Sequence, residues 1–128
     1  MLIPRRTFIG MAAATAAMAS TLQANAGQNR MYGMIGKMVA TPGQRDLLIS
    51  ILLESIHSMP GCLSYIVAKD PADADSIWIT EVWDSQESHH ASLTLPAVRQ
   101  AIAKAKPIIA NFALSQVIEP VGGHGLSG

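Results

Sequence analysis

Apolar and polar positions along the chain change period several times, and each change marks an element. Residues 31–40, MYGMIGKMVA, are apolar with interleaved Gly and one Lys. That predicts a strand in which Gly33 and Gly36 mark a close backbone approach or a bulge. Thr41-Pro42-Gly43 follows, with Thr41 placed to cap a helix and Pro42 at its first position. Residues 44–58 then carry Leu47, Leu48, Ile51, Leu52 and Ile56, one apolar stripe at helical spacing, and Met59-Pro60-Gly61 stops it. Residues 62–68, CLSYIVA, predict a second strand, and the run from Asp70 to Asp75 a turn whose Pro and Asp supply its chemistry. Residues 76–83, SIWITEVW, are the densest run of β-branched and aromatic side chains. Asp84 or Ser85 caps a short helix to about Ser92. Pro96 opens another to about Lys106, which Pro107 perturbs. Residues 111–119 predict a fourth strand, and residues 121–128 a flexible tail.

The order strand, helix, strand, strand, helix, strand is a ferredoxin-like split βαβ arrangement. Right-handed crossovers put the helices on one face of a four-stranded antiparallel sheet. In the third strand Ile77, Ile79, Glu81 and Trp83 alternate with Trp78, Thr80 and Val82, so both sides are largely apolar. An antiparallel sheet with a solvated face alternates apolar and polar. The face away from the helices therefore needs a cover, and a second copy of the chain, sheet against sheet, is the economical one.

Residues 1–26 read as an address instead of a fold. Arg5-Arg6 precede an uncharged run rich in Ala and Met, and Ala24-Asn25-Ala26 is a small-x-small cleavage site. Paired arginines followed by Thr7-Phe8 resemble the bacterial twin-arginine signal. Cleavage after Ala26 and a periplasmic location are expected. The apolar run falls short of the roughly 20 residues that span a bilayer.

Composition narrows the classes. The 128 residues suit one domain, are 49% hydrophobic and 14% charged, and carry a formal net charge of zero. After cleavage, seven basic and nine acidic side chains remain. That is not the basic footprint of a nucleic-acid or anionic-lipid binder. One cysteine excludes an internal disulfide framework and a zinc site built on several thiolates.

PGQRDLLISIL, MPGCLSYIV, ITEVWDSQESH and SLTLPAVRQAI, in this order and spacing, resemble the antibiotic biosynthesis monooxygenase domain over most of residues 31–119, within a domain expected at residues 27–120. The resemblance implies a dimeric α/β barrel. It also implies an activity class, since many relatives are oxygenases that act on quinols or polycyclic phenols with dioxygen and use no metal or flavin. Others degrade haem, and others are isomerases or have no known substrate, so fold alone leaves the chemistry open. In the haem branch a polar Asn is expected on the first strand, where this chain has Gly36.

Candidate chemistry falls on few residues. His89 and His90 sit in the short helix about 100° apart, so one can face a cavity and the other water. A cavity histidine could take a phenolic proton, and the electron-rich anion could then reduce dioxygen without a cofactor. Of the two, His89 is preferred; relatives carry their histidine at the later position held here by Ser92. Trp83 either lines the cavity or is a core tryptophan. Glu81 is a proton acceptor or donor if buried, or else pairs with Lys37 or Arg99. Tyr32 and Tyr65 can hold a substrate oxygen or serve as structural tyrosines. Glu54 and His57 have the E-x-x-H spacing of di-iron bundles, but the partner helices are missing and His57 reads as a charge near a helix C-terminus. Cys62 reads as a small buried hydrophobe or as half of an intermolecular disulfide. A non-enzymatic dimer that binds a small apolar ligand, haem included, is the competing class.

Overall fold

The computed structural model describes residues 30–126, and from Met31 onward the chain forms one unit. Four strands, β1 (Tyr32–Ala40), β2 (Cys62–Lys69), β3 (Ser76–Trp83) and β4 (Ile109–Ile118), make one antiparallel sheet in the order β2-β3-β1-β4. Among the described residues three helices accompany them: α1 (Arg45–Glu54), α2 (Gln86–Ser92) and α3 (Pro96–Ala105). A single 3-10 turn, Lys106–Ile108, feeds β4. This is the ferredoxin-like α+β arrangement expected from the order of elements.

The pleat of β3 decides what the helices cover. Side chains two apart share a face, so Ile77, Ile79, Glu81 and Trp83 line one side. Ile77 and Ile79 join Ala40, Leu48, Ile51, Ala101 and Ala105 in the core between sheet, α1 and α3. Leu48 and Ile77 are fully buried; each such side chain contributes about 1.5–3 kcal/mol of transfer free energy. Arg45 ties α1 to the β2–β3 turn, its Nη1 donating to the carbonyls of Asp73 (2.9 Å) and Asp70 (3.3 Å). The turn is itself held by carboxylates: Asp70 accepts the Ala72 N–H at 2.8 Å, and Asp73 accepts the Asp75 N–H at 3.0 Å and the Ser76 hydroxyl at 2.7 Å.

Helix α1 is shorter than its apolar stripe. It begins at Arg45 because Thr41 hands its N–H to the Ile108 carbonyl and the next residues form a turn with Gly43 at φ 80°. Thr41 is therefore not the cap, nor Pro42 the first helical residue; Gln44 holds the cap position without a side-chain bond. The helix ends at Glu54 because the Ser55 hydroxyl donates back to the Leu52 carbonyl (2.8 Å) and Ser58 turns to φ 60°. His57 thus lies beyond the helix and off its axis. The α2 cap falls on Ser85, whose Oγ accepts the Ser88 N–H at 3.1 Å.

The two strand glycines differ. A methyl group on Gly33 would meet Ile118 Cγ1 at 2.8 Å and Pro120 Cγ at 2.9 Å, a true close approach. On Gly36 it would meet only the Leu114 carbonyl oxygen at 3.6 Å, and the register irregularities fall between Lys37/Met38 and Val39/Ala40. Gly36 is neither a tight approach nor a bulge.

The sheet face away from the helices is oily as its alternation foretold, with Ile66 55% and Leu114 42% exposed. Beside the uncharged Ser64, Thr80 and Gln116 this face carries Lys37, whose Nζ lies 3.3 Å from Asp70 Oδ2 and 5.4 Å from the Trp78 ring centre; Trp78 donates its indole N–H to the same carboxylate at 3.0 Å. Strand β4 is exposed on both faces between its end residues. Phe112 (63%) and Val117 (53%) pair with Met38 and Met34 on the helix side, yet none of the described helices covers them. Beyond β4 the described tail has only a turn, closed by Leu126 N–H to the Gly123 carbonyl at 3.3 Å.

Gly61 enters β2 at φ 84°, and a Cβ there would lie 2.5 Å from Ser88 Oγ and 2.7 Å from Asp84 Oδ1. Gly61→Ala should cost about 1–3 kcal/mol, read as a lowered denaturant midpoint, and should displace α2.

Candidate functional site

One end of the helix-facing side of the sheet gathers most of the side chains singled out from the sequence. The register is the cause. Trp83 at the end of β3 pairs with Tyr32 on β1 and with Cys62 on β2, and Glu81 pairs with Met34 and Tyr65. Paired residues present their side chains to one face, so two adjacent rows form: Cys62, Trp83, Tyr32, then Tyr65, Glu81, Met34. Helix α2 closes over them because Ser85 caps it and Asp84 bonds its N–H to the Gly61 carbonyl at 2.9 Å. That brings His89 above the rows.

His89 touches three of them. Its ring centre is 5.1 Å from that of Tyr32, tilted by 33°, and 5.5 Å from that of Trp83, at a steep 73°. Its Nε2 lies 4.0 Å from Glu81 Oε1. The same oxygen accepts the Trp83 indole N–H at 3.0 Å. Trp83 is fully buried, and Glu81 and His89 are each less than one-fifth exposed. A carboxylate taken this far from water needs donors, and the indole supplies one.

The electrostatics follow from that carboxylate. Burial pushes the Tyr65 hydroxyl well above its ordinary value, and the negative charges of Glu81 and Cys62 push it further. Burial and then Glu81 likewise raise the Cys62 thiol, partly offset by its contact with the Ser64 carbonyl at 3.6 Å. Both groups stay protonated near neutral pH and serve as donors, so Tyr65 can offer a proton to a ligand oxygen.

Some expectations need correction. Glu81 pairs with neither Lys37 nor Arg99 among the described residues: Lys37 points to the opposite sheet face, where it meets Asp70. His90 does not join the group; it is exposed on the outer side of α2 beside Gln86, Glu87 and Ala91. Ser92 is buried and donates to the His89 carbonyl at 2.6 Å, steadying the turn that holds His89. The sequence reading missed that Cys62 and Met34 share the site rows. Only the cross-strand register, with its shift between Cys62 and Ser64, reveals it. Among the described residues no three His, Cys, Asp or Glu side chains converge as a bound metal ion would need.

A four-stranded antiparallel sheet of this order with its helices on one face is the fold of a known class. The antibiotic biosynthesis monooxygenase profile matches residues 31–104. A Chloroflexus aurantiacus protein assigned to antibiotic biosynthesis monooxygenase is 65% identical, with 76% of this chain and 99% of that one covered and a TM-score of 0.74. Proteins with the same assignment from Caulobacter crescentus (17% identical, 77% and 96% covered, TM-score 0.68) and Nitrosomonas europaea (11%, 76% and 94%, TM-score 0.64) share the fold. No functionally curated protein matches the chain. The chain belongs to the antibiotic biosynthesis monooxygenase family.

The raised Tyr65 hydroxyl sets a pH dependence. In the unfolded chain it ionises near 10, whereas the fold resists its ionisation. Its contribution is whole below about pH 10 and is lost as pH climbs towards the folded value. Stability measured by denaturation should therefore fall from pH 9 to 11, and Tyr65→Phe should flatten that fall.

Proposed function

We propose that the protein is a cofactor-independent monooxygenase that oxidises a quinol or aromatic phenol with dioxygen. The observation that carries the reading is the setting of His89, an imidazole shielded from water, flanked by Tyr32 and Trp83 and facing the Glu81 carboxylate. Imidazole titrates near neutrality and is suited to take a phenolic proton. With Nε2 turned to Glu81, Nδ1 is the nitrogen left to accept it, and the carboxylate steadies the imidazolium that forms. Trp83 walls the site, and Tyr32 and Tyr65 hold the substrate oxygens.

The phenolate then passes one electron to dioxygen, and the radical pair joins at a ring carbon bearing hydrogen. Loss of water from the hydroperoxide leaves a quinone. A phenol and dioxygen give a quinone and water. The substrate supplies every electron, so the reaction as proposed requires neither metal nor flavin. The His90 imidazole, on the outside of α2, has no part in this scheme.

The same reading extends to the protein's surroundings. A second copy of the chain, sheet against sheet, is proposed as the cover for the apolar face that carries Ile66 and Leu114. Export by a twin-arginine-type signal to the periplasm, with cleavage after Ala26, is proposed from residues 1–26, which lie outside the described residues. Nucleic acid and membrane are not among the proposed partners.

Oxygen uptake by the purified protein over a panel of quinols and phenols tests the chemistry. His89→Ala should slow turnover about 10²–10⁴-fold. Glu81→Gln, which keeps the acceptor oxygen for the Trp83 indole but removes the charge facing the imidazole, should slow turnover less than His89→Ala does. Ligand binding without oxygen uptake would instead make this a binding protein, and a Soret shift with haemin that His89→Ala abolishes would point to haem. Replacing Arg5 and Arg6 together by Lys should leave the precursor in the cytoplasm, as cell fractionation would show.

A further inference from the structure

The two rows under α2 hold one charged side chain. Cys62, Trp83, Tyr32, Tyr65 and Met34 are neutral, and His89 is neutral whenever it serves as a base, which leaves the Glu81 carboxylate. No ion pair joins Glu81 to a lysine or arginine among the described residues. Lys37 lies on the opposite face with Asp70, Arg45 donates to the carbonyls of the β2–β3 turn, and Lys69 meets Asp46. Arg99, Lys104 and Lys106 are exposed on α3 and the turn after it. His90 faces outward.

The carboxylate is only half engaged. Its Oε1 accepts the Trp83 indole N–H and faces His89 Nε2. Its Oε2 accepts no hydrogen bond from the described residues, and it is open to an incoming group. The side-chain polar atom that is both sealed and unpaired among them is Arg45 Nε. A carboxylate largely withdrawn from water calls for a donor or a cation. Its charge also acts on its neighbours. Burial first, and then Glu81, oppose the ionisation of Tyr65 and of Cys62. The site thus resists two anions of its own.

We propose that Glu81 selects ligands by charge: the site takes a phenol whose ring carries an alkylammonium arm, with the ammonium on Glu81 Oε2, and rejects a phenol carrying a carboxylate. His89 Nε2 and Glu81 Oε1 are 4.0 Å apart, so a phenol with its oxygen at Nδ1 lies an imidazole's width from the carboxylate. At that range, in a site shielded from water, a unit charge on the ligand shifts affinity about tenfold or more. An ammonium on Oε2 leaves Oε1 to the indole and the imidazole. The proposal rests on the reading of the His89 group as a phenol site, but it concerns binding and is tested without turnover.

Equilibrium dialysis without oxygen, near neutral pH, compares three single-ring phenols of similar shape: tyramine (cationic), p-ethylphenol (neutral) and p-hydroxyphenylpropionate (anionic). Wild type should bind tyramine at least tenfold more tightly than p-ethylphenol, and p-hydroxyphenylpropionate at least tenfold more weakly. Glu81→Gln should bring all three within threefold of one another. The amide keeps an acceptor for the Trp83 indole, and p-ethylphenol binding reports on the fold. The wild-type order is a test whether or not the variant folds. Glu87→Gln, exposed on α2, should leave the order unchanged. Equal affinity of wild type for the three ligands overturns the proposal, as does an order that survives Glu81→Gln or depends on Glu87. Binding of none of them removes the phenol site and this proposal with it. Oxygen uptake without a charge order would sink the selectivity and leave the oxygenase. A Glu81-dependent order without any oxygen uptake would do the reverse.

Discussion

The hydrogen bond from the Trp83 indole to Glu81 is the contact on which the site depends. Each partner is costly to bury alone. A carboxylate out of water needs a donor, and an indole N–H inside a fold needs an acceptor. Their separation by two positions on β3 puts both on one face, within 3.0 Å of each other. The bond holds the carboxylate oxygen at a fixed point, and the same oxygen faces the His89 ring. Everything upstream serves that placement: Ile77 and Ile79 anchor β3 in the core, Gly61 lets β2 begin close to α2, and the Ser85 cap sets the first turn from which His89 projects.

The unit has a finished half and an unfinished half. Helices α1 and α3 bury the β3 side of the sheet, whereas β4 stands at the edge with apolar side chains exposed to both faces. A long apolar edge strand is a hazard for a soluble protein. Covering it is what the proposed second copy would achieve. The boundary between the halves runs along β1.

Much of the architecture was legible because it rests on local chemistry. The run SIWITEVW reads as a strand from its β-branched and aromatic content and is one from Ser76 to Trp83. Ser85 and Pro96 open their helices as capping and N1 rules predict. The failures share a different cause. Helix α1 falls short of its expected bounds at both ends, where Thr41 gives its N–H to the Ile108 carbonyl and Ser55 donates back into its own helix. The expected pairing of Glu81 with Lys37 does not form, since Lys37 meets Asp70. Cross-strand register put them on opposite faces, and register is a long-range property no single segment encodes. The site followed the same division: period two united Glu81 and Trp83 in advance, but the arrival of Tyr32, Tyr65 and Cys62 beside them depended on which residues of β1 and β2 lie opposite.

The knot of Lys37, Asp70 and Trp78 has an effect out of proportion to its size. It is a salt-bridged, hydrogen-bonded patch within an otherwise greasy surface. Grease alone is indifferent to sliding, since one hydrocarbon contact replaces another at little cost. An ion pair is not, because covering it with a mismatched surface strips its water and returns nothing. Whatever lies flat on this face therefore has to arrive in alignment, and the knot acts as a locating pin.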